Sequence, residues 1–260
     1  MEQKNEHSNP SFLSHLETLR WHIIRAFIAI CIGSVIAFLQ KTLIFENILF
    51  AFTKNTFPTY IALCNISEGL CIKDLPFNLI NIEITGQFTT HLLVSFIGGF
   101  IIAFPYVLYE IWLFISPAMY KTEKRNSLLF FFFSFFLFLF GIFFAYYVIV
   151  PFGLNFLTNY SLGSALNNEI NFISYIGLIS KIILAAGLLF QLPVLIYILT
   201  KLNLISPSQL KQYRRHAFVI ILIIASILTP PDIFSQILIG LPVFLLYEFS
   251  IFIASLKFKK

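Results

Sequence analysis

No charged residue occurs from Leu128 to Val150, a run that opens LLFFFFSFFLFLFGIFF. As a helix rising 1.5 Å per residue it reaches about 34 Å, enough to cross the ~30 Å hydrocarbon core of a bilayer. A soluble domain has no use for such a segment, so the run commits the chain to a membrane. Composition agrees: 58% of the residues are hydrophobic, 11% are charged, and the mean hydropathy is +0.88. The phenylalanine, isoleucine and asparagine excess points to an AT-rich genome, which bears on codons and not on chemistry.

Three further runs are long enough to span. Trp21–Leu39 does so if Arg25 snorkels to the interface. Phe88–Phe114 carries Gly98-Gly99 and a kink-prone Pro105. Phe172–Leu199 is interrupted by Lys181, Gln191 and Pro193. The last two runs differ. Ala217–Leu228 is short, and after the TPPD of 229–232 the sequence proceeds uncharged from Ile233 until Glu248, with the span expected to end near residue 253. The expectation is an all-α integral membrane protein with one transmembrane domain over residues 1–260. Its six helices span 21–39, 88–114, 128–150, 172–199, 217–228 and 233–253, the last two short.

Charge sets the orientation. Lys4, Arg20 and Arg25 precede or open the first span. Lys121, Lys124 and Arg125 follow the second, Lys201, Lys211, Arg214 and Arg215 the fourth, and Lys257, Lys259 and Lys260 the last. The alternate loops hold Lys41, Lys54 and Lys73, offset by Glu46, Glu68, Asp74, Glu83 and Glu169. The positive-inside rule then places both termini in the cytoplasm and accounts for the net charge of +5 without an acidic or nucleic-acid partner. The polar, mixed-sign N-terminus lacks the basic and apolar regions of a cleavable signal peptide.

Cys64 and Cys71 share the loop CNISEGLC, expected outside the cytoplasm, where they form either two free thiols or a short local disulfide. Neither they nor Cys31 have His or Cys neighbours at metal-ligand spacing, so no metal and no cofactor is expected.

Loop residues 119–125 read MYKTEKR, and one acid, Glu123, stands among three cations. It either pairs with Lys124 or Arg125 in a solvated loop or serves an external cation. Four stretches bear on the choice: HLETLRWHIIRA (15–26), FPYVLYEIWLFISPAMYKTEKR (104–125), GLLFQLPV (187–194) and LTPPDIFSQILIGLPVFLLYE (228–248). Together, and in this order, they resemble the TatC family, the polytopic core of the twin-arginine protein translocase. The combination W-x-F-x-x-P-x-x-Y-x-x-E-[KR]-R with T-P-P-D-x-x-S-Q is specific.

The resemblance implies a receptor and not an enzyme, in a bacterial inner membrane. Its helices form a cup or glove that binds twin-arginine signal peptides of folded cargo on the cytoplasmic side. It gathers single-span TatA/TatB-type partners and forms homo-oligomers within a receptor complex. Glu123, Glu17, Arg20, Tyr120 and Phe114 fall at the implied peptide site, while Gln236, Asp232 and Gln191 fall where partner helices contact. A carboxylate accepts a guanidinium as a bidentate, charge-assisted pair, which a lysine cannot reproduce.

Two positions depart from the family pattern. The N-terminal H-L-x-E-L-R motif reads His15-Leu16-Glu17-Thr18-Leu19-Arg20, so Thr18 replaces the acid and Glu17 lies about 100° round a helix. In the fourth span Gln191 replaces the acid of F-E-x-P, keeping hydrogen-bonding capacity without charge. Asp232 is placed to cap the helix that follows it, and Gln236 lies one turn further on. Glu110 and Glu248 sit near cytoplasmic ends of spans, among cations that can neutralise them. A secondary transporter with Gln191, Lys181 and Asp232 along a polar path is the rival reading. It calls for internal repeats, which the chain lacks.

Overall fold

The computed structural model describes residues 12–66, 78–116, 127–160, 169–202, 204–228 and 233–257. Among them, five helices are long and apolar enough to cross a membrane. Helix α1 is Phe12–Leu39, α2 is Pro58–Ile66 and α3 is Gly86–Ile115. The charge-free run forms α4, Ser127–Phe144, a π-helical turn at Ala145–Ile149, and α5, Val150–Asn159. The next span is α6, Phe172–Leu189, and α7, Leu192–Lys201, broken at Phe190-Gln191 just before Pro193. A short α8, Pro207–Gln212, leads to α9, Arg214–Leu228, and α10, Ile233–Lys257.

The last pair corrects the expectation of two short helices. Helix α9 is short, its 15 residues rising about 22 Å, well under the ~30 Å core. Helix α10 has 25 residues, about 37 Å, and does not stop at Glu248. That carboxylate accepts a 2.7 Å bond from the Arg214 guanidinium at the start of α9, and the apolar pattern resumes beyond it.

Lipid-facing and inward-facing stripes are separated along α4. Phe138 is 0% exposed, and Ser134, Gly141 and Ala145 share its buried face. Phe136 and Phe140, half a turn away, are 64% and 59% exposed. Helix α1 turns Ile23, Phe27, Ile32 and Val35 outward in the same manner. On a soluble monomer so large an apolar surface would be a liability; in hydrocarbon it is the ordinary outer wall.

Without a hydrophobic drive between helices in lipid, small residues let backbones approach and dispersion does the rest. A Cβ on Gly33 of α1 would lie 2.6 Å from the Gly99 carbonyl oxygen, and one on Gly99 only 2.3 Å from the Ser34 nitrogen. Ser95, Gly99 and Ala103 line this seam on α3, facing Gly33 and Ala37 on α1. Helices α4 and α6 meet likewise: a Cβ on Gly141 would lie 2.9 Å from Ala186 O, and one on Gly187 2.8 Å from the Phe138 ring.

One end of the bundle carries short extended segments. Strand β1, Asn78–Ile80, pairs in parallel with β2, Glu169–Asn171, in the register Asn78↔Glu169, Leu79↔Ile170, Ile80↔Asn171. The loops after α1 and after α5 are thereby tied together, and the Asn171 side chain caps α6 by accepting from Ile173 N. Tyr60 of α2 is buried and donates to Phe52 O, with burial pushing its phenol well above the ordinary tyrosine range. Cys64, at the end of α2, is disulfide-bonded, and Cys31 is a free thiol; Cys71 lies outside the described residues.

Candidate functional site

Residues 12–39 form one unbroken helix, so Glu17, Thr18 and Arg20 share its first turns. Glu17 and Arg20 are exposed. On α3 the side chains at 106, 110 and 114 recur every four residues and lie along one face. This face meets α1 at His22.

The contact is a buried polar cluster. His22 Nδ1 lies 2.5 Å from Glu110 Oε2, with the carboxylate side chain 3% and the imidazole 14% exposed. The Tyr106 hydroxyl bonds the same carboxylate from one turn earlier on α3, and the Arg25 charge lies close by. The Phe114 ring stands edge-on to the imidazole, centroids 6.1 Å apart at 66°. A carboxylate so buried is tolerated only when paired, and here a histidine serves as its partner instead of a lysine or arginine.

Two intramembrane amides are engaged within the chain. Gln191, at the break between α6 and α7, accepts from Ser134 Oγ at 2.6 Å and donates to Ser134 O at 2.9 Å. Gln236 Nε2 donates to Leu222 O at 2.9 Å, fastening α10 to α9. Lys181 is exposed, as a snorkelling lysine would be. Among the described residues no group of three His, Cys, Asp or Glu side chains could hold a metal ion.

These elements, in this order, are found in known proteins. The family model described as "TatC: Sec-independent protein translocase protein (TatC)" matches residues 14–242. The chain belongs to the TatC family. The TatC of Blattabacterium sp. subsp. Periplaneta americana (strain BPLAN) is 39% identical, covering 99% of each chain. That of Aquifex aeolicus (strain VF5) is 34% identical over 95% of each. A crystal structure of a twin arginine translocase receptor, TatC, in DDM matches with a TM-score of 0.77 at 34% identity, covering 92% of this chain and 99% of that one. The chain is thus a membrane component of a protein-transport family, with the all-helical TatC fold.

In this chain the residues expected at a peptide site divide in two. Glu17, Arg20 and Phe114 lie on the facing ends of α1 and α3 joined by His22 and Glu110. Glu123 and Tyr120 lie outside the described residues, as does Asp232. Gln191 and Gln236, expected at partner-helix contacts, make the internal bonds given above. The sequence reading left Glu110 among unspecified cations and passed over His22 and Ser134. The spacing Tyr106-x-x-x-Glu110 carries half the signal for that cluster. Nothing local in the sequence indicates that His22 supplies the rest.

Proposed function

We propose that the chain is the receptor of a twin-arginine translocase in a bacterial inner membrane, with both termini cytoplasmic. It binds paired-arginine signal peptides of folded cargo, and it catalyses no reaction. The observation that carries this reading is the convergence of α1 and α3: the helix bearing Glu17 and Arg20 is held against the helix end bearing Phe114, which leads within eight residues to the Glu123 loop. A carboxylate in that loop takes one guanidinium in a bidentate pair worth about 1.5–3 kcal/mol, one to two decades of affinity. Arginine cannot lose its proton there, and lysine lacks the planar fork. Glu17 is the available second acid on α1, Thr18 being uncharged.

Cargo-bound receptor then gathers TatA/TatB-type single-span partners and further copies of itself. Gln236, Asp232 and Gln191 remain the candidate contacts for partner helices. Gln236 spends its amide nitrogen on Leu222 O and keeps its carbonyl oxygen for a polar group on an incoming helix; among the described residues nothing donates to it.

The reading is tested by mapping. A signal peptide carrying a photoreactive residue beside its arginines is expected to cross-link to residues 116–125 and to the first turns of α1. Cross-links confined to the loops that carry β1 and β2 would overturn it.

A further inference from the structure

Three ties hold α1 to α3 along their length. At one end His91 Nε2 lies 3.2 Å from Phe38 O, and its ring stacks on Phe38. In the middle Gly33 and Gly99 bring the backbones together. At the other end His22 meets Glu110. The first two are a hydrogen bond to a backbone carbonyl and packing. The third is the last tie before the two chain segments that bear Glu17, Arg20 and Glu123, and among the three it alone pairs an imidazole with a carboxylate.

We propose that His22 and Glu110 are positioning residues whose charge sets how firmly the start of α1 is held against the end of α3, so that affinity for a paired-arginine peptide follows pH. The proposal rests on the receptor reading above.

Arg25, three residues beyond His22 and close enough to act on Glu110 by its charge, is a permanent cation. It remains exposed, and the carboxylate pairs instead with an imidazole. Imidazole is the side chain whose ordinary titration falls between about pH 5 and 8. With a protonated imidazole the pair is ionic in a low-dielectric seam. With a neutral imidazole one N–H to the carboxylate remains, and the buried negative charge is compensated only by the Tyr106 hydroxyl and by Arg25 at a distance. Among the described residues the titratable and charged groups facing the pair are Tyr106, with Tyr109 beside it, on α3 and Arg25 on α1. None of these titrates between pH 5 and 8 in its ordinary range.

The sign follows. The hold is complete at low pH and weakens as pH rises through the imidazole range, and the placement of Glu17 and Arg20 loosens with it. Peptide arginines keep their charge throughout, and an exposed carboxylate stays ionised above about pH 5.

The test uses the full chain in detergent micelles and a histidine-free paired-arginine peptide, titrated at about pH 6 and pH 8. Wild type is expected to bind about tenfold more tightly at the lower pH, one decade of what a charged hydrogen bond commands. Glu110→Gln and His22→Gln are expected to bind at the weaker level at both values. His22→Arg, which keeps a cation opposite Glu110 at every pH, is expected to bind at the tighter level at both. His7, His15, His91 and His216 are present in every variant, so a slope arising at any of them would persist in all and overturn the proposal. A uniform loss at both values with no rescue by His22→Arg would reduce the pair to packing and also overturn it. If wild type fails to prefer the paired-arginine peptide over a paired-lysine one at either pH, the receptor reading itself falls and this inference with it.

Discussion

Ser134 is one hydroxyl in a wall of phenylalanine, and its Oγ and carbonyl both go to Gln191. A glutamine at a helix break in hydrocarbon must find partners because no water is there to supply them. Two reciprocal bonds to one residue on the neighbouring helix do so without charge. Such bonds in lipid are worth about 0.6 kcal/mol on average and up to about 1.7. Ser134→Ala should lower stability by about 1 kcal/mol, read as a lowered thermal unfolding midpoint. Ser134→Ala combined with Gln191→Leu should cost less than the sum of the two, since each alone removes the bond from Ser134 Oγ to Gln191 Oε1; full additivity would contradict the pairing. By contrast, Arg214 and Glu248 meet at 2.7 Å but stay partly exposed, and Glu248→Gln should change stability by no more than about 1 kcal/mol.

At the scale of elements, the packing of α1 on α3 depends on absent side chains. The Gly33–Gly99 approach leaves no room for a Cβ, and the nearest atoms include backbone of the facing helix, which cannot move aside as a flexible side chain would. Gly99→Val should therefore destabilise the chain by more than the 1–3 kcal/mol of ordinary overpacking and detach α1, lowering the unfolding midpoint. Gly177→Ala is the control: nothing lies within 4 Å of a Cβ there, so the change should be neutral or stabilise α6 by up to about 1 kcal/mol. Five membrane-spanning helices were legible because bilayer thickness fixes a length that hydropathy alone reveals, as in Leu128–Val150. The span expected over 233–253 already passes Glu248, and α10 runs four residues further, to Lys257, with Arg214 meeting that carboxylate. The His22–Glu110 cluster and the β1–β2 pairing join residues 88 and 91 positions apart, and no local pattern encodes such meetings.

At the scale of the molecule, β1 and β2 bind the loops after α1 and α5 to one end of the bundle, while His22–Glu110 and Arg214–Glu248 join helix ends remote from those loops. On the proposed orientation, which follows the positive-inside rule, the first end faces away from the cytoplasm and the other faces it. With Cys31, Cys64 and Cys71 replaced by serine, a single cysteine at Lys54 should react with a membrane-impermeant maleimide added to intact cells, and one at Lys211 only after permeabilisation. The reverse pattern would invert the orientation on which the receptor reading depends. That reading answers why an acid stands among cations in residues 119–125. On that proposal Glu123 serves a guanidinium of the signal peptide.

The most direct measurement is a binding titration of the purified chain with a twin-arginine signal peptide and its Arg-Arg→Lys-Lys counterpart, repeated with Glu123→Gln. The account predicts that wild type favours the arginine peptide by about one to two decades and that Glu123→Gln abolishes the preference. Equal binding of the two peptides by wild type, or an undiminished preference in Glu123→Gln, would contradict it.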